Sequence, residues 1–172
     1  MIAVLGEPVL EVVAYGTPGP QGSKKAYRRK GSTKITLVES SKKVKPWRDA
    51  VAEAARAAAR AASAPLSGPL IGSMVFSLAR PKRLPRWRGP LPWVRPDLSK
   101  LLRATEDALD TDAGVIADDA HIVEYGRLAK VYAGDPDDPD ALEQPGAVIR
   151  LWLSPRHLEG RELVSAASVS PS

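Results

Sequence analysis

Three aspartates in this chain stand where they could support metal-dependent chemistry on a phosphate. Asp97 lies at the predicted start of a helix, and the pair Asp118 and Asp119 follows about twenty residues later. A metal held by carboxylates polarises a phosphodiester, activates a water and offsets the charge that develops during hydrolysis. Each group also has an ordinary structural interpretation, because aspartate is a good helix N-cap and is common in turns.

The rest of the composition narrows which metal and which compartment are expected. The chain has no cysteine and two histidines, His121 and His157, which excludes thiolate catalysis, iron–sulfur clusters and zinc knuckles. Carboxylate oxygens suit Mg²⁺, with Mn²⁺ as the alternative, and no small-molecule cofactor is expected. The sequence has no apolar run of about 18 residues and no signal-like start, which predicts a cytoplasmic protein without a membrane partner.

Basic residues are concentrated in two segments. Residues 21–48 hold ten Lys or Arg against one acid, Glu39, and residues 80–103 hold eight against one, Asp97. A DNA duplex carries one negative charge per roughly 1.7 Å, so these segments predict a phosphate-binding footprint, with a solubilising surface as the alternative. The residues that we predict to contact DNA here are Lys24, Lys25, Arg28, Arg29, Lys82, Arg83, Arg86, Arg95 and Lys100.

A segment rich in proline, arginine and tryptophan separates the two halves of the chain. Its prolines exclude a helix or a central strand over residues 80–96. Indole rings among cations favour stacking on unpaired or distorted bases. The alternative is that Trp87 and Trp93 simply cover the core.

The hydrophobic pattern predicts the elements that must position these residues. Strands are predicted over 9–15, 35–38, 70–78, 120–132 and 146–153, and helices over 46–63 and 98–109. A cation-tipped loop after 17–23 and an acidic surface loop over 135–143 lie between them. This order predicts an α+β fold, a two-layer sandwich in which two main helices pack on a mixed or antiparallel sheet. We expect one domain over 1–154 and a flexible tail over 155–172.

The stretch from Arg95 to Val123 resembles the central motif of the RusA family of Holliday junction resolvases. It reads RPDLSKLLRATEDALD and then GVIADDAHIV, which is similar to the family's Asp-Leu-Asp run, its Asp-Ala-Leu and its Asp-Asp pair. The surroundings agree, with Gly16-x-Pro18 ahead of basic residues and Lys130 late in a strand. The resemblance covers about residues 10–153.

This resemblance implies a homodimeric, Mg²⁺- or Mn²⁺-dependent endonuclease that makes paired cuts in four-way DNA junctions, in a phage or prophage setting. The family's metal-binding aspartates fall on Asp97 and Asp119, with Asp118 beside the latter. The family's lysine falls on Arg103, which we expect to contact the scissile phosphate. Lys130 joins the predicted DNA contacts.

Ser99 is the main departure from the family pattern, because it replaces the second aspartate and supplies no anionic charge. A site with two core carboxylates would hold metal more weakly. Glu106 lies on the same predicted helix face, at a position that the family usually fills with an apolar residue, and one hypothesis is that it supplies the missing carboxylate. The other interpretation is an ion pair with Arg103. The alternative functions are a branched-DNA-binding protein that no longer cleaves, and a nuclease acting on other branched phage DNA.

Overall fold

The computed structural model describes residues 5–22, 24–28, 30–31, 33, 35–39, 42–62, 64–83 and 89–155. The predicted tail beyond Pro155 lies outside these residues, as do Arg29, Arg86 and Trp87. The elements along the described chain are β1 (Leu10–Tyr15), β2 (Lys24–Arg28), β3 (Ile35–Glu39), α1 (Val44–Ala59), β4 (Leu70–Leu78), α2 (Leu98–Asp107), β5 (Ile122–Tyr132) and β6 (Gly146–Leu153).

Four of the strands form one mixed sheet. Their order is β1-β6-β4-β5, in which β4 and β5 run parallel and the other neighbours pair antiparallel. Strands β2 and β3 form a separate antiparallel pair. Because a parallel pair needs a crossover, the connection from β4 to β5 carries α2 across the sheet. The predicted α+β fold with a mixed sheet and two main helices is confirmed.

The helices pack through a shared core that contains a buried polar link. Trp47 of α1 is 1% exposed and stacks at a tilt against Phe76 of β4, with ring centroids 6.3 Å apart. Its indole Nε1 donates to Thr105 Oγ1 of α2 at 3.1 Å, and that hydroxyl donates to the Leu101 carbonyl at 2.9 Å. The buried indole N–H and the threonine hydroxyl therefore both have hydrogen-bond acceptors. The hydrogen bond between them also holds α2 against α1.

The acidic segment after β5 is held onto the sheet by ion pairs. Arg127 of β5 binds both Asp138 and Asp140, and Arg150 of β6 binds Asp140 at 2.6 Å. The Leu142 amide donates to the buried Ser77 hydroxyl of β4 at 2.9 Å. The segment lies at the surface as predicted, and two of its acids, Asp138 and Asp140, form ion pairs with arginines of the sheet.

Several element boundaries differ from the prediction. Lys24, Lys25 and Arg28 were expected in a loop, but their backbone forms β2 because it pairs with β3, a contact that local turn residues do not reveal. Helix α1 spans Val44–Ala59 instead of 46–63. A π turn over Ala108–Asp112 follows α2, and Arg48 of α1 holds it through Asp112, with Nε–Oδ2 at 2.6 Å.

The strands β4, β5 and β6 lie close to the bounds predicted from the sequence. Strands β4 and β6 have the predicted bounds, and β5 begins two residues later than expected because a 3₁₀ turn occupies Asp119–His121. The described helices are all too short or too polar to cross a membrane.

Candidate active site

Asp97 lies at the N-terminus of α2 with its carboxylate available. It is the N-cap residue by backbone position, but its side chain forms no capping hydrogen bond. Its Oδ2 lies 3.4 Å from Lys100 Nζ, and both side chains are about half exposed. The simple capping interpretation of Asp97 is therefore wrong for its side chain, whose half-exposed carboxylate instead lies near the Lys100 ammonium.

The Asp118 and Asp119 pair opens the 3₁₀ turn before β5. Asp118 Oδ1 accepts a hydrogen bond from the Ala120 amide at 2.8 Å, so this side chain does cap a turn. Asp119 is exposed and occupies the first position of the turn. The two neighbours are therefore used differently, since one carboxylate already has a local backbone partner.

Asp119 shares its surroundings with Glu106 near the end of α2. Glu106 Oε1 accepts a hydrogen bond from the Tyr125 hydroxyl of β5 at 2.7 Å. Burial is the largest cause that raises the pKa of Glu106, and the nearby charge of Asp119 raises it further. Burial and the contact with Glu106 also raise the pKa of Tyr125, so the phenol stays protonated and donates. A cation bound between the Glu106 and Asp119 carboxylates would offset the repulsion between their charges.

Gly72 of β4 makes room for this arrangement. It pairs in register with Tyr125, and a Cβ at Gly72 would lie 2.7 Å from Tyr125 Cε1. Such a distance is far inside van der Waals contact, so a side chain here would displace the ring. The glycine therefore permits the phenol to lie across β4 and reach Glu106.

Lys130 reaches the segment that leads into Asp97. Its Nζ donates to the Val94 carbonyl at 2.7 Å and to the Pro96 carbonyl at 2.9 Å. The partners of this cation are thus backbone oxygens immediately before α2. The same contacts, together with the Tyr125–Glu106 hydrogen bond, show that α2 runs alongside β5 in the opposite direction.

That direction separates the predicted carboxylates along α2. Glu106 is nine residues after Asp97, which corresponds to about 13 Å at a rise of about 1.5 Å per residue. Asp119 is brought to Glu106, at the far end of the helix from Asp97. The structure therefore brings Asp119 and Glu106 together, and the connection between α2 and β5 does not place Asp97 in the same immediate group.

Ser99 and Arg103 lie between these two ends on the exposed side of α2. They are one turn apart, and Glu106 follows in the next turn on the same side. Arg103 lowers the pKa of Glu106 through its charge but forms no ion pair with it in the described structure. The alternative interpretation of Glu106 as a partner in an Arg103 ion pair is thus replaced by its contact with Tyr125.

A cleft adjoins Asp97. It encloses about 660 Å³ between the 17–22 loop, the end of β4 and the 92–97 segment, and Lys43, Arg95 and Lys100 contribute cations to its lining. The loop is held to α2 by the Gln21 amide, which donates to the Lys100 carbonyl at 3.0 Å. A negatively charged ligand in this cleft would therefore lie near these three cations and also near the Asp97 carboxylate.

The remaining residues predicted to contact DNA lie just beyond β4, in β2 or outside the described residues. Lys82 and Arg83 are exposed just beyond β4. Lys24, Lys25 and Arg28 have a described backbone in β2, and Arg29 and Arg86 fall outside the described residues. Trp93 is 63% exposed, which rules out the interpretation that it covers the core.

Sequence reasoning missed the tyrosines. Tyr125 was assigned to the strand as one of its hydrophobic residues, and nothing in its local pattern indicates a carboxylate partner nineteen residues earlier. Tyr132 lines the cleft beside Asp97, and it too was assigned to the strand alone. Only the crossing of α2 over the sheet reveals either role.

The donor set suits a hard divalent cation, although it is small. Across the described residues, no group of three or more His, Asp or Glu side chains gathers at one point. Mg²⁺ is usually held by one or two carboxylates, with water and substrate phosphate completing its shell. At one end of α2 the Asp97 carboxylate, and at the other end those of Asp119 and Glu106, therefore each fit a metal whose remaining ligands are water and substrate phosphate.

Exposed carboxylates stand at both ends of α2, beside a cleft lined by cations, and side chains of these types could act on a phosphate ester. The sequence profile of the endodeoxyribonuclease RusA family matches residues 16–137. The chain therefore belongs to the RusA endodeoxyribonuclease family, whose activity is cleavage within DNA. A search of curated proteins found no match to the chain.

Proposed function

We propose that this protein is a divalent-metal-dependent endonuclease that resolves four-way DNA junctions as a homodimer. The observation that carries the proposal is the family match over residues 16–137, which contains every residue predicted for catalysis or DNA contact. A four-way junction is nearly two-fold symmetric, and paired cuts need two active sites related by the same symmetry. We further propose that the protein is encoded by a phage or prophage and works in the bacterial cytoplasm.

A divalent metal, Mg²⁺ or Mn²⁺, would bind at Asp119, with Asp118 beside it, and another would bind at Asp97, because the length of α2 between Asp97 and Glu106 is too great for one ion to touch both ends. Each ion would supply a Lewis acid for the scissile phosphate and lower the pKa of a bound water. Glu106 shares the surroundings of Asp119 and is the carboxylate that we propose in compensation for Ser99. Tyr125 orients Glu106 by its hydrogen bond, so it is a positioning residue.

The cations divide into contacts with DNA and contacts within the chain. Arg103 is exposed on the helix face between Ser99 and Glu106, where its planar guanidinium can bind a phosphate through two donors. Arg95 and Lys100 line the cleft and would contact the DNA backbone. Lys130 is instead proposed to position the segment before Asp97, because its ammonium binds two carbonyls there.

The test is cleavage of a labelled synthetic four-way junction with Mg²⁺ or Mn²⁺. We expect paired, symmetric nicks that require the metal and are lost in Asp119→Asn. Glu124→Gln is the matched control, because Glu124 is an exposed acid five residues later that has no proposed role. Cleavage that persists in Asp119→Asn, or that survives chelation of the metal, would contradict the proposal.

Ser99 favours a second candidate, a protein that binds branched DNA without cutting it. Its exposed hydroxyl lies on the α2 face that carries Arg103, where it adds no charge for a metal. Tight, junction-specific binding with no nicks in either metal would favour this candidate. A nuclease for other branched phage DNA would instead cut flaps or three-way junctions faster than four-way junctions.

A further inference from the structure

The cleft beside Asp97 has the size of a small-ligand site. Its volume of about 660 Å³ lies within the roughly 300–1,000 Å³ typical of such sites. Much of its wall is apolar, because five prolines contribute to it, and its cations come from three different segments of the chain. Those prolines are Pro18, Pro20, Pro81, Pro92 and Pro96.

Two polar atoms on residues of this cleft are buried without a partner. Tyr132 is 2% exposed, and its hydroxyl forms no hydrogen bond with any described residue. Gln21 Oε1 is likewise shielded from solvent and unpaired within the described structure. Buried polar groups in folded proteins are nearly always hydrogen-bonded, so two exceptions on one cleft call for a partner outside the chain.

Both residues are held in place by rigid elements. Tyr132 ends β5, where it pairs in register with Leu78 of β4, and its ring lies under Arg80 with the guanidinium carbon 5.7 Å from the centroid. The Gln21 backbone is held to Lys100 of α2 by an amide–carbonyl hydrogen bond of 3.0 Å. The backbones of Tyr132 and Gln21 are therefore fixed before a ligand arrives, which lowers the entropic cost of binding. Because both unpaired atoms are shielded from solvent, a ligand in the cleft would reach them by displacing the side chains that cover them.

We propose that this cleft receives one unstacked nucleotide of the DNA substrate, whose base edge is hydrogen-bonded by Tyr132 and Gln21. The apolar wall suits the face of a base, a phenol and an amide carbonyl suit its edge, and Lys43, Arg95 and Lys100 suit the attached phosphate. Taking a base out of its stack costs least where DNA is already branched or unpaired. This proposal rests on the proposed function, since it concerns how that DNA is held near Asp97.

The experiment uses the full chain and a series of synthetic four-way junctions, each with one abasic nucleotide near the crossover. Binding is measured in a chelator, so that no strand is cut. For the unmodified protein we expect one position on each strand at which loss of the base weakens binding. Tyr132→Phe keeps the ring under Arg80 and removes the hydroxyl alone, and Gln21→Met removes the amide.

Each variant should weaken binding of the intact junction about five-fold, the usual effect of one lost hydrogen bond, and should reduce the penalty at the sensitive abasic position. The thermal unfolding midpoint of Tyr132→Phe should not fall, because its hydroxyl has no described partner in the chain. Tyr15→Phe is the matched control, since Tyr15 is 59% exposed on β1.

Two outcomes overturn the proposal. One is an abasic series that binds the unmodified protein equally at every position, and the other is a sensitive position that both variants leave unchanged. Failure of the proposed cleavage is read separately, from metal-dependent nicking of the intact junction by the unmodified protein and by Asp119→Asn. A sensitive abasic position without any nicking would leave the nucleotide site standing and refute the hydrolysis.

Discussion

Replacing Lys130 by methionine tests whether this cation positions the active site or touches DNA. The substitution keeps an unbranched side chain and removes the ammonium that donates to the Val94 and Pro96 carbonyls at 2.7 and 2.9 Å. A hydrogen bond from a charged donor contributes about 1.5–3 kcal/mol. Because Lys130 is half-buried and the freed carbonyls can bind water, we expect a loss of about 2 kcal/mol in the free energy of unfolding.

The effect on cleavage should exceed the effect on DNA binding. Asp97 follows the anchored segment directly, and a displacement of about 1 Å at a catalytic group can lower a rate by about 100-fold. We therefore expect kcat for junction cleavage to fall about 10- to 100-fold. Urea unfolding measures the first effect, and single-turnover cleavage at saturating protein measures the second.

The salt dependence of DNA binding separates the two roles of this lysine. A lost phosphate contact lowers the slope of log K against log salt concentration by about 0.9. Lys82→Gln, which changes an exposed lysine just beyond β4, should show that decrease with unchanged stability. A Lys130→Met protein that has the smaller slope and the stability of the unmodified protein would refute the positioning role and restore the DNA contact predicted from the sequence.

Three further predictions concern the metal, the acidic segment and the sheet. Ser99→Asp adds the carboxylate of the family pattern and should lower the Mn²⁺ concentration for half-maximal cleavage about tenfold, and an unchanged metal titration would contradict this. Asp138→Asn should destabilise the protein near pH 7. The hydrogen bond from Arg127 lowers the pKa of Asp138, so its stabilising contribution exists above the ordinary value of 3.8 and is lost as the pH falls through the lower, folded-state pKa. Urea unfolding should therefore show a difference between the two proteins that shrinks in acid, and a difference independent of pH would argue against the assignment. Gly72→Ala should destabilise the fold by about 1–3 kcal/mol by displacing the Tyr125 ring, and thermal unfolding at the unmodified midpoint would exclude that clash.

Local sequence patterns predict the strands and helices well, because the residues that become buried recur every few positions along each element. The strand predicted over 70–78 is the fully buried β4, and the helix predicted over 98–109 contains the buried Leu101, Thr105 and Leu109. The end of α1 was placed too late because alanine favours helix without marking where it stops. The pairing of β2 with β3 escaped prediction because it depends on a contact between separate segments.

The sequence predicts which residues belong to the candidate site, but not which of them lie close together. The family motif contains both Asp97 and Asp119, and the antiparallel course of α2 beside β5 brings Asp119 near Glu106. The resemblance to the family motif identified the carboxylates, because each aspartate taken alone also has an ordinary role as a helix cap or turn residue. It did not identify Tyr125, since a tyrosine in a strand is ordinary until the crossing helix supplies its partner.

The hydrogen bond from the Gln21 amide to the Lys100 carbonyl has a consequence for dynamics. It joins the 17–22 loop to α2 at the wall of the cleft, so the loop cannot move away from the helix without breaking it. Amide hydrogens exchange with solvent through such local openings, at rates set by the free energy of the opening. The exchange rate of the Gln21 amide therefore reports the fraction of molecules in which the cleft is open in the absence of DNA.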